Sequence, residues 1–173
     1  MHILKKLDFK LTKIINNFVS QNSFSVKCLI FITNTSDYKA YVLYTLLIPF
    51  IIPIYAMEIL KIGLPAYAFQ LPVYLIIKNT SKRNRPIHTP GIIYNIPPPD
   101  RYSFPSGHCA SATLIVLVMN MFNLWFFPLL IVWMLIIYFS RVALGVHYIS
   151  DVIGGVILGL ISFFVGYNIS QFI

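Results

Sequence analysis

Charge is scarce in this 173-residue chain. Only 10% of its residues are charged and only five are acidic, whereas 58% are hydrophobic and the mean hydropathy is +0.77. So little charge excludes an ordinary soluble globular domain. It also leaves no basic patch able to track a nucleic-acid backbone, because the 13 Lys and Arg are dispersed among apolar runs. No nucleic-acid partner is expected; phosphate groups and anionic lipid headgroups fit the net charge of +8 better. Cysteine is nearly absent too. Cys28 and Cys109 lack metal-ligand spacing and imply neither a disulfide framework nor a zinc site. Cys109 reads as a small apolar packing residue. Repeats are missing, and the first long apolar run starts near Tyr41, too late for a signal peptide.

What is present is a series of apolar runs of membrane-spanning length. Residues 41–57, 59–77, 105–122, 125–139 and 149–172 give five candidate spans, each near the roughly 20 residues that cross a bilayer. Ahead of them, Leu4, Leu7, Leu11, Ile14, Ile15 and Phe18 recur at helical spacing with Lys5, Lys6, Asp8, Lys10 and Lys13 between them. That pattern predicts an amphipathic helix at a headgroup surface or packed on the body of the protein. Residues 19–37 read as a connection or a second interfacial piece. The expected fold is all-α, a polytopic membrane helix bundle of about five transmembrane helices plus the N-terminal amphipathic helix. It forms a single domain, 1–173, with an interfacial start at 1–37 and a catalytic bundle at 38–173.

Pro65 and Pro72 fall inside the second span, where neighbouring helices can satisfy the freed carbonyls. Gly155 and Gly159 in the fifth have the small-xxx-small spacing that lets helices approach closely. The one long polar stretch, Lys78 to Phe104, is broken by Pro86, Pro90, Pro97, Pro98 and Pro99. A loop of this length in a compact protein is more often functional than idle.

Counting turns puts that loop, the start of the third span and the junction of the last two on one side of the membrane. Three polar clusters can then meet: Lys78 with Arg85-Pro86, Pro105-Ser106-Gly107-His108, and Ser140-Arg141 with His147 and Asp151. Lys78, Arg85 and Arg141 concentrate positive charge, and a guanidinium fork suits an oxyanion. Ser106 and Gly107 open a helix whose free N–H groups and dipole favour an anion. On a helix, His147 and Asp151 would share a face, and the carboxylate would orient the imidazole by hydrogen bonding. An i, i+4 His/Asp pair alone also arises by accident; the upstream clusters make it meaningful. His147 then reads as the nucleophile on phosphorus and His108 as the acid for the departing oxygen. Lys82, Arg83 and Arg101 read as solvated loop charges, with further headgroup contacts as the alternative.

The three motifs, Lys78-x6-Arg85-Pro86, Pro105-Ser106-Gly107-His108 and Ser140-Arg141-x5-His147-x3-Asp151, resemble the signature of the type 2 phosphatidic acid phosphatase superfamily. The resemblance implies a phosphatase without metal or cofactor, with His147, His108 and Asp151 catalytic and Lys78, Arg85, Ser106, Gly107 and Arg141 holding phosphate. Many membrane members have six spans. The five-span layout is similar to small bacterial members acting on undecaprenyl pyrophosphate, which leads the candidate substrates ahead of phosphatidic acid, phosphatidylglycerol phosphate and lipid A phosphate.

Rival readings are a lipid phosphotransferase, a vanadium-dependent haloperoxidase, disfavoured because those enzymes are soluble, and a non-enzymatic lipid-binding or transport protein, disfavoured by the two histidines. The expected location is the bacterial inner membrane. The N-terminal lysines and the basic loop share one side, which the positive-inside rule makes cytoplasmic. The family's tendency points to the extracytoplasmic face instead, and that is the expectation adopted. Partners are a lipid phosphate substrate and membrane lipids; the sequence specifies no oligomeric state.

Overall fold

Polar and proline-rich punctuation cuts the apolar runs into seven helices among the described residues. The computed structural model describes residues 2–98 and 100–173, with side chains from residue 5 onward, so the Leu4 side chain and Pro99 lie outside the described residues. The helices are α1 (His2–Ser20), α2 (Ser23–Asn34), α3 (Tyr38–Ile51), α4 (Ala56–Ser81), α5 (Gly107–Asn120), α6 (Phe127–Ala143) and α7 (Ile149–Ser170), with a single 3₁₀ turn at Pro86–His88. No strand occurs among the described residues.

Helices α4 and α7 are long and apolar enough to cross a membrane, whereas α2, α3, α5 and α6 are shorter apolar helices. Large hydrophobic side chains cover the outside of the bundle, Phe50, Leu64, Leu129 and Phe164 among them. Such a surface is stable in lipid and costly in water, and the chain is a membrane protein.

Helix α1 follows its sequence pattern. Thr12, Asn16 and Val19 face inward, while Leu7, Leu11, Ile14 and Phe18 stay exposed. Residues 23–34, read from sequence as a connection or interfacial piece, form a helix packed on α1 and α6. Asn22 caps it by accepting from the N–H groups of Phe24 and Ser25.

Helix α7 packs mainly on α4 and α5. Its glycines permit this. A Cβ on Gly155 would collide with the Ser106 carbonyl, one on Gly159 with the Ala110 carbonyl, and one on Gly166 with Ala66. Pro65 and Pro72 are accommodated inside the continuous α4. One core cluster joins Ile59, Ile62 and Ala66 of α4 to Leu114 and Val118 of α5. A second joins Cys109 to Val142 and Val152 beneath the polar end.

Candidate functional site

The C-terminal end of α4, the N-terminus of α5 and the α6–α7 junction come together at one end of the bundle. Arg85, Arg141, His147 and Asp151 are there, each at most 1% exposed. Groups this polar are rarely buried unless paired or functional.

Gly145 makes the junction possible. Its φ of +76° turns the chain after α6, in the left-handed region that suits glycine. The His147 N–H then donates to the Arg141 carbonyl at 3.0 Å, tying the imidazole to the end of α6. Arg85 approaches from the α4–α5 loop. Its Nη1 donates to the Val146 carbonyl at 2.8 Å and lies 3.2 Å from His147 Nε2. A guanidinium can only donate, so this contact requires Nε2 to be the bare nitrogen and Nδ1 to carry the proton. Burial first, then the positive charges of Arg85, Arg141 and Lys78, hold the His147 pKa well below its ordinary value. Both effects favour the neutral ring, the form in which an imidazole can act as a base or nucleophile.

Asp151 departs from the expected arrangement. Because α7 begins at Ile149, His147 precedes the helix and the two side chains do not share a helical face. Asp151 instead caps α7: its Oδ2 accepts the Tyr148 N–H at 2.8 Å, and its Oδ1 accepts from Arg83 Nη1 at 2.7 Å. Asp151 Oδ2 is 3.6 Å from His147 Nδ1, beyond hydrogen-bonding distance, and Nδ1 has no partner among the described residues. The carboxylate therefore lies on the Nδ1 side of the ring without bonding it.

Arg83 corrects the sequence reading more sharply. Its guanidinium bridges Asp8 and Asp151, each at 2.7 Å, and lies 4.2 Å from the centre of the Tyr148 ring. It is no solvated loop charge. Lys82 and Arg101 are exposed, as expected.

Ser106 is the N-cap residue of α5, and its N–H donates to the Asp151 carbonyl at 3.0 Å, which joins the Pro-Ser-Gly-His segment to α7. Gly107 begins the helix with Tyr74 against it, so a side chain there would crowd the ring. His108 follows, partly exposed, its carbonyl accepting from Ser36 Oγ at 3.2 Å. Arg141 donates through Nη1 to Thr33 Oγ1 at 2.9 Å. Its Nε and Nη2, and the Ser106 hydroxyl, are buried without a partner among the described residues. Unsatisfied buried donors cost about 1–3 kcal/mol each, and an anion with several oxygens would satisfy all three.

Sequence reasoning also missed Asp100. Its carboxylate accepts from Lys78 Nζ at 2.7 Å, from Arg85 Nη2 at 2.6 Å and from the Tyr74 hydroxyl at 2.9 Å. Burial raises its pKa, but hydrogen bonds and charge from Lys78 and Arg85 outweigh that, and the net shift is downward. A lone acid inside a basic, proline-rich loop was the available signal.

Residues 59–173, about two thirds of the chain, match the PAP2 superfamily. The chain belongs to that superfamily. It is 41% identical over 87 residues to decaprenylphosphoryl-5-phosphoribose phosphatase of Mycobacterium tuberculosis, covering 50% of this chain and 48% of the relative. It is 33% identical over 100 residues to phosphatidylglycerophosphatase B of Bacillus subtilis, covering 51% and 47%. The PAP2 chain thus spans about half the length of these curated relatives. Among solved structures, Aquifex aeolicus LpxE superposes with a TM-score of 0.80 at 24% identity, over 94% of this chain and 95% of that one. The PAP2-type phosphatidylglycerolphosphate phosphatase of B. subtilis gives 0.75 at 20% identity, over 100% and 89%. These structures share the fold.

Proposed function

We propose that this PAP2 protein is a membrane lipid phosphatase, hydrolysing a phosphomonoester or pyrophosphate of a lipid through a phosphohistidine on His147. The observation that carries this reading is the buried His147, with Arg85 3.2 Å from its Nε2 and with Arg141 and Lys78 near enough for their charge to help hold its pKa down. The substrate phosphoryl group takes the free donors of Arg141, the Ser106 hydroxyl and the α5 N-terminus, together with Lys78 and Arg85. Arg85 turns its N–H from Nε2 of His147 to the phosphate, Nε2 attacks phosphorus, the bond to the lipid-side oxygen breaks, and His108, which enters the complex protonated, passes its proton to that oxygen. Positive charge on the imidazole is offset by Asp151. His108 then takes a proton from water as it attacks the phosphohistidine, releasing phosphate and restoring both rings.

The roles need no metal, since the cations supply the charge stabilisation. A catalytic end at the membrane surface lets a lipid keep its chains in the bilayer while its phosphate enters. A polyprenyl-linked phosphate is the preferred class, supported by the mycobacterial relative, and undecaprenyl pyrophosphate is its first candidate. Phosphatidic acid, phosphatidylglycerol phosphate and lipid A phosphate are alternatives. Five spans in a bacterial inner membrane, with the site on the extracytoplasmic face, complete the reading.

The test is phosphate release by detergent-purified protein from undecaprenyl pyrophosphate, phosphatidylglycerol phosphate and phosphatidic acid in excess EDTA. Release is expected, fastest from the polyprenyl substrate. Transfer to an added acceptor lipid in place of release would make the protein a phosphotransferase, and no reaction with any of the three would remove the enzymatic reading.

A further inference from the structure

The matched PAP2 region begins at residue 59, yet the catalytic junction is bonded to Asp8, which lies outside it near the start of the chain. Asp8 is the one acid in α1. Its Oδ1 accepts the Ser150 N–H at 3.1 Å, and its Oδ2 accepts from Arg83 Nη2 at 2.7 Å and from the Ser150 hydroxyl. Ser150 is the second residue of α7, so its N–H is one of the donors a helix cannot satisfy internally. Asp8 thus caps α7 from another helix, placing negative charge at its positive end. The Asp8 side chain is 11% exposed and that of Arg83 28%. These groups are packed into the protein.

From Arg83 the contacts run inward. Nη1 donates to Asp151 Oδ1 at 2.7 Å and also bonds Ser150, while the guanidinium plane lies over Tyr148. Asp151 in turn faces His147 Nδ1. Charge explains why a second carboxylate belongs here. A guanidinium paired with Asp151 alone would cancel its charge, and little would be left to offset an imidazolium. Counted by formal charge, two carboxylates against one guanidinium leave the trio with one net negative charge on the Nδ1 side of His147. A second anchor keeps α1 in register: Asn16 Nδ2 donates to the Ala143 carbonyl at 2.9 Å, and Asn16 Oδ1 accepts the Ile93 N–H at 2.7 Å.

We propose that Asp8, acting through Arg83, is a positioning residue that sets the charge and orientation of Asp151 and thereby the reactivity of His147. Helix α1 is then part of the catalytic apparatus as well as a membrane-surface element. This rests on the phosphohistidine reading above, and it concerns the chemical step more than phosphate binding, because Asp8 does not reach the cationic cradle.

The experiment measures kcat and KM of the full chain in detergent micelles, with undecaprenyl pyrophosphate and phosphatidic acid, for wild type, Asp8→Asn, Asp8→Glu, Asp151→Asn, the Asp8→Asn/Asp151→Asn double variant and His147→Ala. Asp8→Asn keeps the size of the side chain and an acceptor for Ser150 but removes the charge. It is expected to lower kcat by roughly tenfold or more with KM little changed, and Asp8→Glu to recover part of the rate. In the Asp151→Asn background, Asp8→Asn is expected to cost almost nothing further, since its effect passes through Asp151. Thermal unfolding separates a folding defect from this: a loss of kcat that is additive with Asp151→Asn, or that follows lost stability and is equally large in Asp8→Glu, overturns the proposal. So does an unchanged kcat in Asp8→Asn where wild type is active and His147→Ala is not, which leaves the phosphatase reading intact. Wild-type inactivity on both lipids, or an active His147→Ala, instead removes that reading and this inference with it.

Discussion

Asp100 closes on Arg85 with a 2.6 Å ion pair, placing a carboxylate on one of the guanidinium groups that the proposed reaction needs for phosphate. The other oxygen holds Lys78 at 2.7 Å. One internal anion therefore satisfies two of the three cations before substrate arrives, and incoming phosphate must compete with it for their hydrogen bonds.

Asp100→Asn should accordingly tighten binding of inorganic phosphate or vanadate, by roughly tenfold given the strength of charge-assisted hydrogen bonds. The inhibition constants against lipid hydrolysis measure this. The same change leaves Lys78 and Arg85 facing one another unneutralised. The melting temperature should fall without anion and recover when phosphate is added. Weaker phosphate binding in Asp100→Asn would mean that the carboxylate aligns the cations more than it competes for them.

Gly155 gives a prediction about architecture. A methyl group there would press on the Ser106 carbonyl, backbone that cannot swing aside. Gly155→Ala should destabilise the protein by about 1–3 kcal/mol and, by displacing the start of α5, lower activity even in the fraction that stays folded. Gly63→Ala is the control, since a Cβ at Gly63 meets nothing within 4 Å. Unfolding temperature and specific activity, taken together, check both halves.

Much of this architecture could be read from the chain. Apolar length marked α3 to α7, and the Gly155 and Gly159 spacing marked a close helix contact that proves to be with α5. The convergence of Lys78, Arg85, His108, Arg141, His147 and Asp151 followed from the turn count. Partner choice was less legible, because spacing records which residues lie on one element and not which elements meet. His147 and Asp151 looked like two positions on one helix because they are four apart; the apolar run does begin at Ile149, but a polar turn of helix ahead of it was equally compatible with that pattern. Arg83 looked solvated because its partners, Asp8 and Asp151, are 75 and 68 positions away. Asp100 carried no signal beyond being the one acid in a basic loop.

The depressed pKa of His147 has consequences on the acid side. The ring is protonated in the unfolded chain near the ordinary imidazole value of about 6.5, but in the folded protein only at lower pH. Its contribution to stability is therefore fully present above about pH 6.5 and is lost as pH falls from there through the folded pKa. Activity has the same sign: once the substrate's own second phosphate ionisation, at about 6, is divided out, kcat/KM should hold below the usual imidazole range and fall when Nε2 is protonated in the free protein. Profiles of kcat/KM and melting temperature against pH measure the two effects. An acid limb of kcat/KM at or above about 6.5 would contradict the electrostatic description of the site.

The proposed reaction stands on covalent phosphorylation of His147 supported by fixed cations. The direct measurement is rapid quenching of the detergent-solubilised protein during turnover of a radiolabelled lipid phosphate in excess EDTA, with acid- and base-stability of the trapped label and its position in the chain. A base-stable, acid-labile label on His147 is expected, absent from His147→Ala and longer-lived in His108→Ala. Turnover in EDTA with no label in any variant, or a label that persists in His147→Ala, would contradict the proposed reaction.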